Sequence, residues 1–504
     1  MLQYFSPSSY KSKKKVIVIG GGIGGIAAAI RTNALGYKTT LIERLETLGG
    51  RAQVFKKNGY THDAGPTVLT APFLFDELFD LLKSKREEQV EFKTLDPWYS
   101  YYFHTGETFN YRASISETLE EIGNFNPDDK NNYLRLLATS EKIFDVGFTQ
   151  LSSQPFNKLT TMIAQTPNIL KLGGYRTVSQ FVNSYLEHPL LRRAFSIHPL
   201  LVGGNPFSTT AIYSLIHFLE RKWGVHFCMG GTGELIRSLH ELMIQNGIDV
   251  LLETDITRLE ADNKIVKYAQ TSTGKKYEAD FFISNADPPT LFNEILHPKR
   301  SFFNKIIPEK MTTYSMGLFV LFFGTKKRYE NVAHHTIWMG KRFKSLLSDI
   351  FEKKTLADDF SLYIHRPTAT DTSFAPKGCD SFYVLCPVPN LLGSVNWKTE
   401  GPKLSQRIIE ELGKTIMPKL SEHFVDDFFM TPEDFKSNYR STHGAGFSIA
   451  PLLTQSAWFR YHNYDKSFPN LFLVGAGTHP GAGMPGVLCS AKVVENLMTN
   501  LDIP

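Results

Sequence analysis

Cysteine is scarce in this chain of 504 residues, and long apolar runs are missing. The four cysteines, Cys228, Cys379, Cys386 and Cys489, include no C-x-x-C pair, which disfavours a disulfide framework or a cysteine zinc site. The longest strand-like apolar run, 316–323, is far too short to cross a membrane. No apolar signal segment opens the chain. These absences favour a reducing compartment, so we expect a cytoplasmic protein whose membrane contact is peripheral.

A strong charge imbalance is also lacking. The chain has 55 basic and 50 acidic residues, and no basic stripe is interleaved with aromatic residues, so we expect no nucleic-acid partner. The lysines at 11, 13, 14 and 15 are typical of a solvated tail, although weak attraction to anionic lipid is an alternative. Hydrophobic residues make up 42% of a chain too long for one compact core, which predicts at least two folded domains.

The first readable unit is a strand, a helix and a second strand. Residues 15–19 form a short apolar run typical of a buried parallel strand. Residues 26–35 have helix composition, and Gly36 ends them. Residues 37–42 read as the next strand, which ends at Glu43. This order predicts one βαβ unit.

Three glycines join the first strand to the helix, and their spacing indicates a nucleotide site. Gly20 permits a tight turn, Gly22 lets a pyrophosphate approach the backbone, and Gly25 lets the helix pack against the strand. The pyrophosphate would then lie at the positive end of the helix. Glu43 is placed to accept hydrogen bonds from an adenosine ribose, and its charge disfavours the 2′-phosphate of NADP.

The end of the chain repeats this pattern, and a middle segment supplies a third piece. Residues 470–474 read as a strand, 475–486 as a glycine-rich loop and 487–501 as a helix. In the middle, 248–252 and 281–287 contain further apolar strands. The predicted fold class is therefore α/β: a Rossmann-like domain assembled from three segments (1–85, 226–289 and 431–504), with a mixed sheet and helix substrate domain built from 86–225 and 290–430.

Gly49-Gly50-Arg51 decides which dinucleotide is expected. A Gly-Gly-Arg shortly after the ribose carboxylate resembles the second fingerprint of the FAD-binding amine oxidase and desaturase superfamily. There the arginine and its glycines hold the pyrophosphate side of FAD. An exposed turn carrying a solvated arginine is the structural alternative. We therefore expect FAD as the cofactor.

Further segments resemble the bacterial and fungal phytoene desaturases that form lycopene, and not the plant type. The matching segments extend from about residue 15 to about residue 492, and the first 14 residues have no match. They are HDAGPTV at 62–68, LLVGGNPF at 200–207, WGV at 223–225, MGGTG at 229–233, AHHT at 333–336, LTQSAWFR at 453–460 and the loop at 474–486.

The resemblance implies a set of FAD contacts. Those expected at the ADP half are Gly20, Gly22, Gly25, Glu43, Gly50 and Arg51, with the backbone near Ile256 at the adenine. Those expected at the flavin half are Gly65 and Pro66 beside the isoalloxazine, Gly477 and Thr478 near the ribityl and phosphate groups, and Met484 and Pro485 at the start of the last helix. That helix end carries roughly half a positive charge, which would stabilise the anionic reduced flavin.

Several polar residues are better explained without a catalytic role. His334 and His335 are adjacent, so on a strand they are expected to face opposite sides and not to share a metal. Asp371 reads as a turn residue, and Ser456 lacks a G-x-S-x-G elbow. Thr160-Thr161 stands where relatives carry a basic–acidic pair, which puts a side-chain acid mechanism in doubt. No metal is expected, and no catalytic side chain is assigned.

The resemblance implies FAD-dependent desaturation of phytoene and partly desaturated carotenes up to lycopene or neurosporene, with a quinone or oxygen reoxidising the flavin. The expected surface for membrane contact lies within 144–185, where apolar and basic residues cluster. Its apolar residues are Phe156, Leu159, Met162, Ile163, Ile169, Leu170 and Leu172, and its basic residues are Lys158, Lys171 and Arg176. The core of a helical subdomain is the alternative.

Other functions stay open. They are a diapophytoene desaturase, a carotenoid isomerase, an amine oxidase, and a prenyl-binding chaperone resembling the GDP-dissociation inhibitors. Glu43 and Arg51 argue against the chaperone, which shares the fold without redox work.

Overall fold

The computed structural model describes residues 14–156, 170–262, 264–297 and 312–500, together with the single positions 160, 162 and 167. Much of the expected membrane-contact segment therefore lies outside the described residues, namely Lys158, Leu159, Thr161, Ile163 and Ile169.

The strands supply the frame of the molecule. In chain order they are β1 Lys15–Ile19, β2 Lys38–Ile42, β3 Val54–Lys57, β4 Tyr60–Asp63, β5 Phe92–Thr94, β6 Tyr99–Phe103, β7 Thr108–Tyr111, β8 His226–Cys228, β9 Asp249–Leu251, β10 Ile256–Ala261, β11 Val266–Thr271, β12 Lys276–Glu278, β13 Phe281–Ser284, β14 Leu296–His297, β15 Gly317–Thr325, β16 His335–Met339, β17 Leu362–His365, β18 Asp380–Val388, β19 Phe424–Met430 and β20 Leu471–Leu473.

Helices cover the sheets and connect them. The longer α-helices are α1 Ile23–Ala34, α2 Phe73–Leu81, α3 Ile115–Phe125, α4 Asp129–Phe144, α5 Val178–Asn183, α6 Pro189–Ser196, α7 Leu215–Trp223, α8 Gly231–Gln245, α9 Trp397–Lys414, α10 Pro432–Tyr439 and α11 Met484–Thr499.

A five-stranded parallel sheet forms the Rossmann-like part, in the order β20-β13-β1-β2-β9. Its strands come from the beginning, middle and end of the chain, so the fold class is as predicted. The apolar run of β1 explains its central place, because parallel strands covered by helices bury both faces. Helices α1 and α11 pack against each other beside this sheet. We propose that the chain divides at the predicted boundaries into this Rossmann-like domain and a substrate domain.

A seven-stranded mixed sheet forms the second part, in the order β19-β15-β18-β17-β16-β6-β7. Strand β15 is buried along its whole length, which agrees with its continuous apolar sequence. Strands β6 and β7 were not predicted, because no individual strand was placed within residues 86–225. They extend the sheet when β6 pairs in parallel with β16.

A four-stranded sheet, in the order β12-β11-β10-β14, packs beside the parallel sheet and was also not predicted. Its strands alternate buried and exposed residues, a weaker signal than a continuous apolar run. Within the part of the chain that the structure describes, no helix has both the length and the apolar run needed to cross a membrane.

Candidate cofactor and substrate site

The turn after β1 is shaped by its glycines. Gly20 has a φ of +96°, a left-handed conformation that favours glycine, and its N–H donates to the carbonyl of Ile42 at 2.8 Å. A Cβ on Gly25 would lie 1.9 Å from the carbonyl oxygen of Gly20, so no side chain fits there. Helix α1 begins just after Gly22 and points its N-terminus at the turn. The turn is therefore open to a phosphate group.

Glu43 holds the second side of this turn. Its side chain is only 7% exposed, and its Oε2 accepts a hydrogen bond from Gly21 N at 2.6 Å. Its Oε1 accepts from Leu45 N at 2.8 Å. Each oxygen keeps a further lone pair, so the carboxylate can also accept hydroxyl protons of a ribose.

Arg51 lies against the same turn. Gly49 N donates to Gly21 O at 2.8 Å, and a Cβ on Gly50 would lie 3.2 Å from Gly22 Cα, which places the two glycine motifs in contact. The Arg51 Nη2 donates to Ser441 Oγ at 3.0 Å, while its buried Nε has no hydrogen-bond partner among the described residues. Burial lowers the pKa of this guanidinium from its ordinary value. An anion on the Nε side would satisfy it.

The loop before α11 forms the opposite wall. Arg460, fully buried, holds the loop by donating from Nε to Thr478 O at 3.0 Å and from Nη2 to Ala476 O at 2.6 Å. The hydroxyl of Thr478 donates inward to Gly475 O at 2.9 Å. Helix α11 then starts at Met484 and directs its positive end at the cavity.

Two other segments complete the site. Thr67, next to Pro66, shares a hydrogen bond of 2.5 Å with the hydroxyl of Tyr363 from the seven-stranded sheet. On the other side, Arg440 Nη1 donates to Ile256 O at 3.2 Å.

One cavity of about 600 Å³ joins these parts. The predicted site residues that line it are Gly20, Gly22, Glu43, Gly50, Arg51, Gly65, Pro66, Ile256, Gly477, Met484 and Pro485. Gly25 and Thr478 do not line it: Gly25 packs helix against strand, and Thr478 is engaged within its own loop.

The cavity continues into an apolar region between the seven-stranded sheet and the helical segments at 198–223. Its wall there includes Leu200, Leu201, Ile212, Ile216, Met316 and Leu318. A buried carboxylate, Glu220, also borders the cavity, but Tyr99 and His198 occupy its two oxygens at 2.8 Å and 3.1 Å. The region therefore offers mainly hydrocarbon surface to a ligand.

Sequence reasoning missed several residues that shape the site. Arg440 pairs with Asp255 at 2.8 Å across 185 positions of chain, and Asn285 Nδ2 donates to Gly20 O at 3.4 Å. Asp287 accepts from Thr442 N at 3.0 Å. The predicted strand segment 281–287 contains Asn285 and Asp287, but no local feature of the sequence indicated their partners.

The expectation that His334 and His335 face opposite sides is wrong. His334 lies just before β16, so strand alternation does not apply to it, and the two ring centroids are 4.6 Å apart. His365 joins them, because β16 and β17 pair His335 directly opposite His365. Burial lowers the pKa of all three imidazoles, that of His335 to about 3, so they are neutral.

His62 gives a testable pH dependence. Burial lowers its pKa from 6.5 to about 4, so the folded protein holds it neutral while the unfolded chain protonates it below pH 6.5. The stabilisation of the folded state by neutral His62 is fully present above pH 6.5 and is lost as the pH falls through 4. Between pH 7 and pH 5 we expect the free energy of unfolding to fall in both proteins. The fall should be larger in the parent than in His62→Phe, by up to about 2 kcal/mol.

The measurement compares thermal midpoints of both proteins at the two pH values. Phenylalanine suits the site, which lies between Phe322 and Phe428, and Ser381 Oγ keeps its bond to Thr61 O at 2.7 Å. Equal losses in both proteins would show that His62 does not titrate in this window.

The residues present fit an FAD molecule. Glycine turns without side chains, the buried Glu43 carboxylate, an arginine nitrogen without a partner among the described residues and a helix N-terminus all border one cavity. This donor set matches a dinucleotide with two phosphates and a negatively charged reduced ring.

Comparisons with known proteins agree with this geometry. A family model described as flavin containing amine oxidoreductase matches residues 23–494. A lycopene-forming phytoene desaturase of Pantoea ananas is 43% identical over 491 residues, covering 96% of this chain and 99% of that protein. A neurosporene-forming phytoene desaturase of Cereibacter sphaeroides is 37% identical over 499 residues, covering 98% and 95%. The solved structure of putrescine oxidase with putrescine matches with a TM-score of 0.62 at 13% identity, covering 97% and 99%, and shows the fold.

Proposed function

This chain belongs to the phytoene desaturase family of flavin-containing oxidoreductases, and from that premise we propose that it is an FAD-dependent desaturase of phytoene. The observation that carries the proposal is one continuous cavity, which runs from the glycine turns into an apolar region beside the seven-stranded sheet. A hydrocarbon entering that region would reach the flavin half of the site without crossing a polar barrier.

We propose that Gly20, Gly22, Glu43, Gly50 and Arg51 would hold the ADP half of FAD, with Ile256 at the adenine. Gly65, Pro66, Gly477, Met484 and Pro485 would surround the flavin half. When bound, FAD supplies a hydride acceptor, which lets a C–C single bond flanked by double bonds become a double bond. Gly25 and Thr478 would act by packing, since neither borders the cavity.

The side chains around the substrate would align the hydrocarbon and exclude water. Cationic character that develops during hydride removal spreads along a polyene, so alignment beside the flavin matters more than a strong base. Glu220 is already hydrogen-bonded by Tyr99 and His198, which favours a structural role for this carboxylate. Proton loss to a weak base then suffices.

The proposed end product is lycopene. Lycopene-forming relatives are 41–44% identical to this chain, whereas neurosporene-forming relatives are 35–37% identical. We propose that a quinone or oxygen reoxidises the flavin.

The deciding experiment supplies phytoene in liposomes to the purified yellow protein without oxygen. Bleaching of the flavin band, followed by recovery on adding either a quinone or oxygen, is expected, together with lycopene in the extract. A flavin that stays oxidised with phytoene but bleaches with an amine would overturn the proposal in favour of an amine oxidase. Neurosporene as the end product would revise the number of steps.

We also propose that the protein binds membranes peripherally, because phytoene is insoluble in water. The described part of the candidate surface offers Leu170 and Tyr175, which are 53% and 61% exposed, beside exposed Lys171 and Arg176. Phe156 does not belong to this surface: it is 3% exposed and packs on His479 with ring centroids 5.0 Å apart. Apolar tips would enter the interface while the basic groups meet anionic headgroups.

Leu170→Glu is expected to reduce flotation with liposomes of phosphatidylcholine and phosphatidylglycerol several-fold, because a charge replaces an inserting apolar group. Ile244→Glu is the matched control, since Ile244 is also 53% exposed but lies on α8. Equal flotation of the two variants would remove Leu170 from the binding surface, and no flotation of the parent protein would refute membrane binding.

A further inference from the structure

Three buried histidines meet on the face of the seven-stranded sheet that is turned towards β4. His334, His335 and His365 are each at most 5% exposed, and their ring centroids lie 4.6, 4.8 and 5.5 Å apart. One ring nitrogen from each can be chosen so that all three lie within 4.8 Å of one another. Antiparallel pairing of His335 with His365 produces this arrangement, so the sheet itself holds the cluster.

Hydroxyl groups orient two of the rings from behind. His334 Nδ1 lies 2.7 Å from Thr370 Oγ1, and His335 Nδ1 lies 2.8 Å from the hydroxyl of Tyr363. When Nδ1 donates to such an oxygen, Nε2 carries the free lone pair that a metal requires. Within the described residues, the Nε2 atoms of all three histidines have no hydrogen-bond partner. Three such atoms on neighbouring buried rings can all be satisfied by one shared ligand.

A carboxylate stands beside the cluster. Asp63 is 1% exposed, its Oδ1 accepts from Thr232 N at 3.1 Å, and its Oδ2 lies 4.0 Å from His365 Nε2. The rings of Phe227 and Tyr99 pack against the cluster, with centroids 4.6 Å from the His334 ring and 5.9 Å from the His335 ring. Neutral imidazoles with one carboxylate form a donor set suited to zinc-like ions.

We propose that His334, His335 and His365 bind a divalent transition-metal ion of the zinc class, with the Asp63 carboxylate facing it. A tetrahedral zinc ion with Zn–N bonds of 2.0–2.1 Å would set its nitrogens about 3.3 Å apart, so the side chains would close by about 1.5 Å at most. Small rotations of the rings supply such a movement.

The ion would tie two parts of the molecule together. His335 and His365 belong to the seven-stranded sheet and His334 directly precedes its strand β16, whereas Asp63 ends β4, two residues before Gly65 of the cofactor cavity. The site therefore has a structural role, and it does not depend on the desaturase reaction.

The test begins with the metal content of the flavin-loaded protein, freed of any affinity tag and purified without chelators. Elemental analysis is expected to find close to one zinc-class ion per chain in the parent protein. His365→Gln should lose it, whereas His217→Gln should keep it, because His217 is equally buried but lies outside the cluster. Metal retained by both variants, or lost by both, would overturn the proposal.

A cobalt titration covers the case in which a variant fails to fold. The parent protein, stripped with dipicolinic acid, is titrated with Co²⁺ alone, and a visible absorption band that saturates at one equivalent is expected. Zinc should displace the band, and thermal stability should rise with it. A parent protein with no bound metal and no cobalt band would overturn the proposal and assign the space between the rings to water.

Discussion

Gly25→Ala is expected to yield a protein that is poorly folded and almost free of flavin. The added Cβ would lie 1.9 Å from the carbonyl oxygen of Gly20, a backbone atom that cannot swing away. Strand β1 and helix α1 would have to separate, and both are buried in the main core. Overpacking of this kind costs about 1–3 kcal/mol and occasionally more, and a backbone clash lies at the upper end.

Gly413→Ala is the matched control for this change. Gly413 also lies in a helix, α9, but a Cβ there would meet its nearest neighbour, Leu420 Cβ, at 3.7 Å. Because alanine favours helix by about 1 kcal/mol over glycine, this variant is expected to keep its flavin and to melt at or above the parent temperature. The readouts are the ratio of flavin to protein absorbance and the thermal midpoint. Parent-like values for Gly25→Ala would refute the close-packing role of Gly25.

The βαβ unit could be predicted because its signals are local. The first strand was placed at 15–19, where the structure has β1, and the turn glycines were assigned physical roles that the backbone geometry explains. Helix α1 begins at Ile23, three residues before the predicted start. Gly24 and Gly25 belong to its first turn, since close packing outweighs their poor helix propensity.

Helix α11 shows the same boundary effect at the end of the chain. It begins at Met484 and not at 487, because proline at the second position of a helix needs no N–H partner. The prediction that a helix starts at Met484 and Pro485 therefore agrees with the structure, whereas the predicted helix range, 487–501, begins three residues too late.

What the sequence could not supply are contacts between distant segments. The histidine cluster depends on the register of β16 against β17, and the argument from strand alternation failed because His334 lies outside the strand. The Arg440 and Asp255 pair joins residues 185 positions apart. Neither has a local signature, since register and partner choice are set by how whole sheets pack.

Arg51→Ala is expected to fold but to be purified largely without flavin. The guanidinium borders the cavity beside Gly22 and Gly50, donates one bond to Ser441 and has an unpartnered Nε among the described residues. A charge-assisted hydrogen bond contributes about 1.5–3 kcal/mol, so losing one would weaken FAD binding about 10- to 150-fold. Dilution during purification then removes the cofactor. The measurement is the dissociation constant for FAD, obtained by fluorescence quenching on the stripped protein.

Arg51→Lys separates charge from shape in this prediction. Lysine keeps the positive charge but lacks the planar fork that meets two phosphate oxygens, so its affinity for FAD should fall between those of the parent and Arg51→Ala. Arg237→Ala is the control for removing an arginine, because Arg237 is exposed on α8 and pairs only with Glu234 and Glu241 in the described structure. It should bind FAD as the parent does. If Arg51→Ala bound FAD normally but melted early, and Ser441→Ala did the same, the guanidinium would serve the Ser441 segment and not the cofactor.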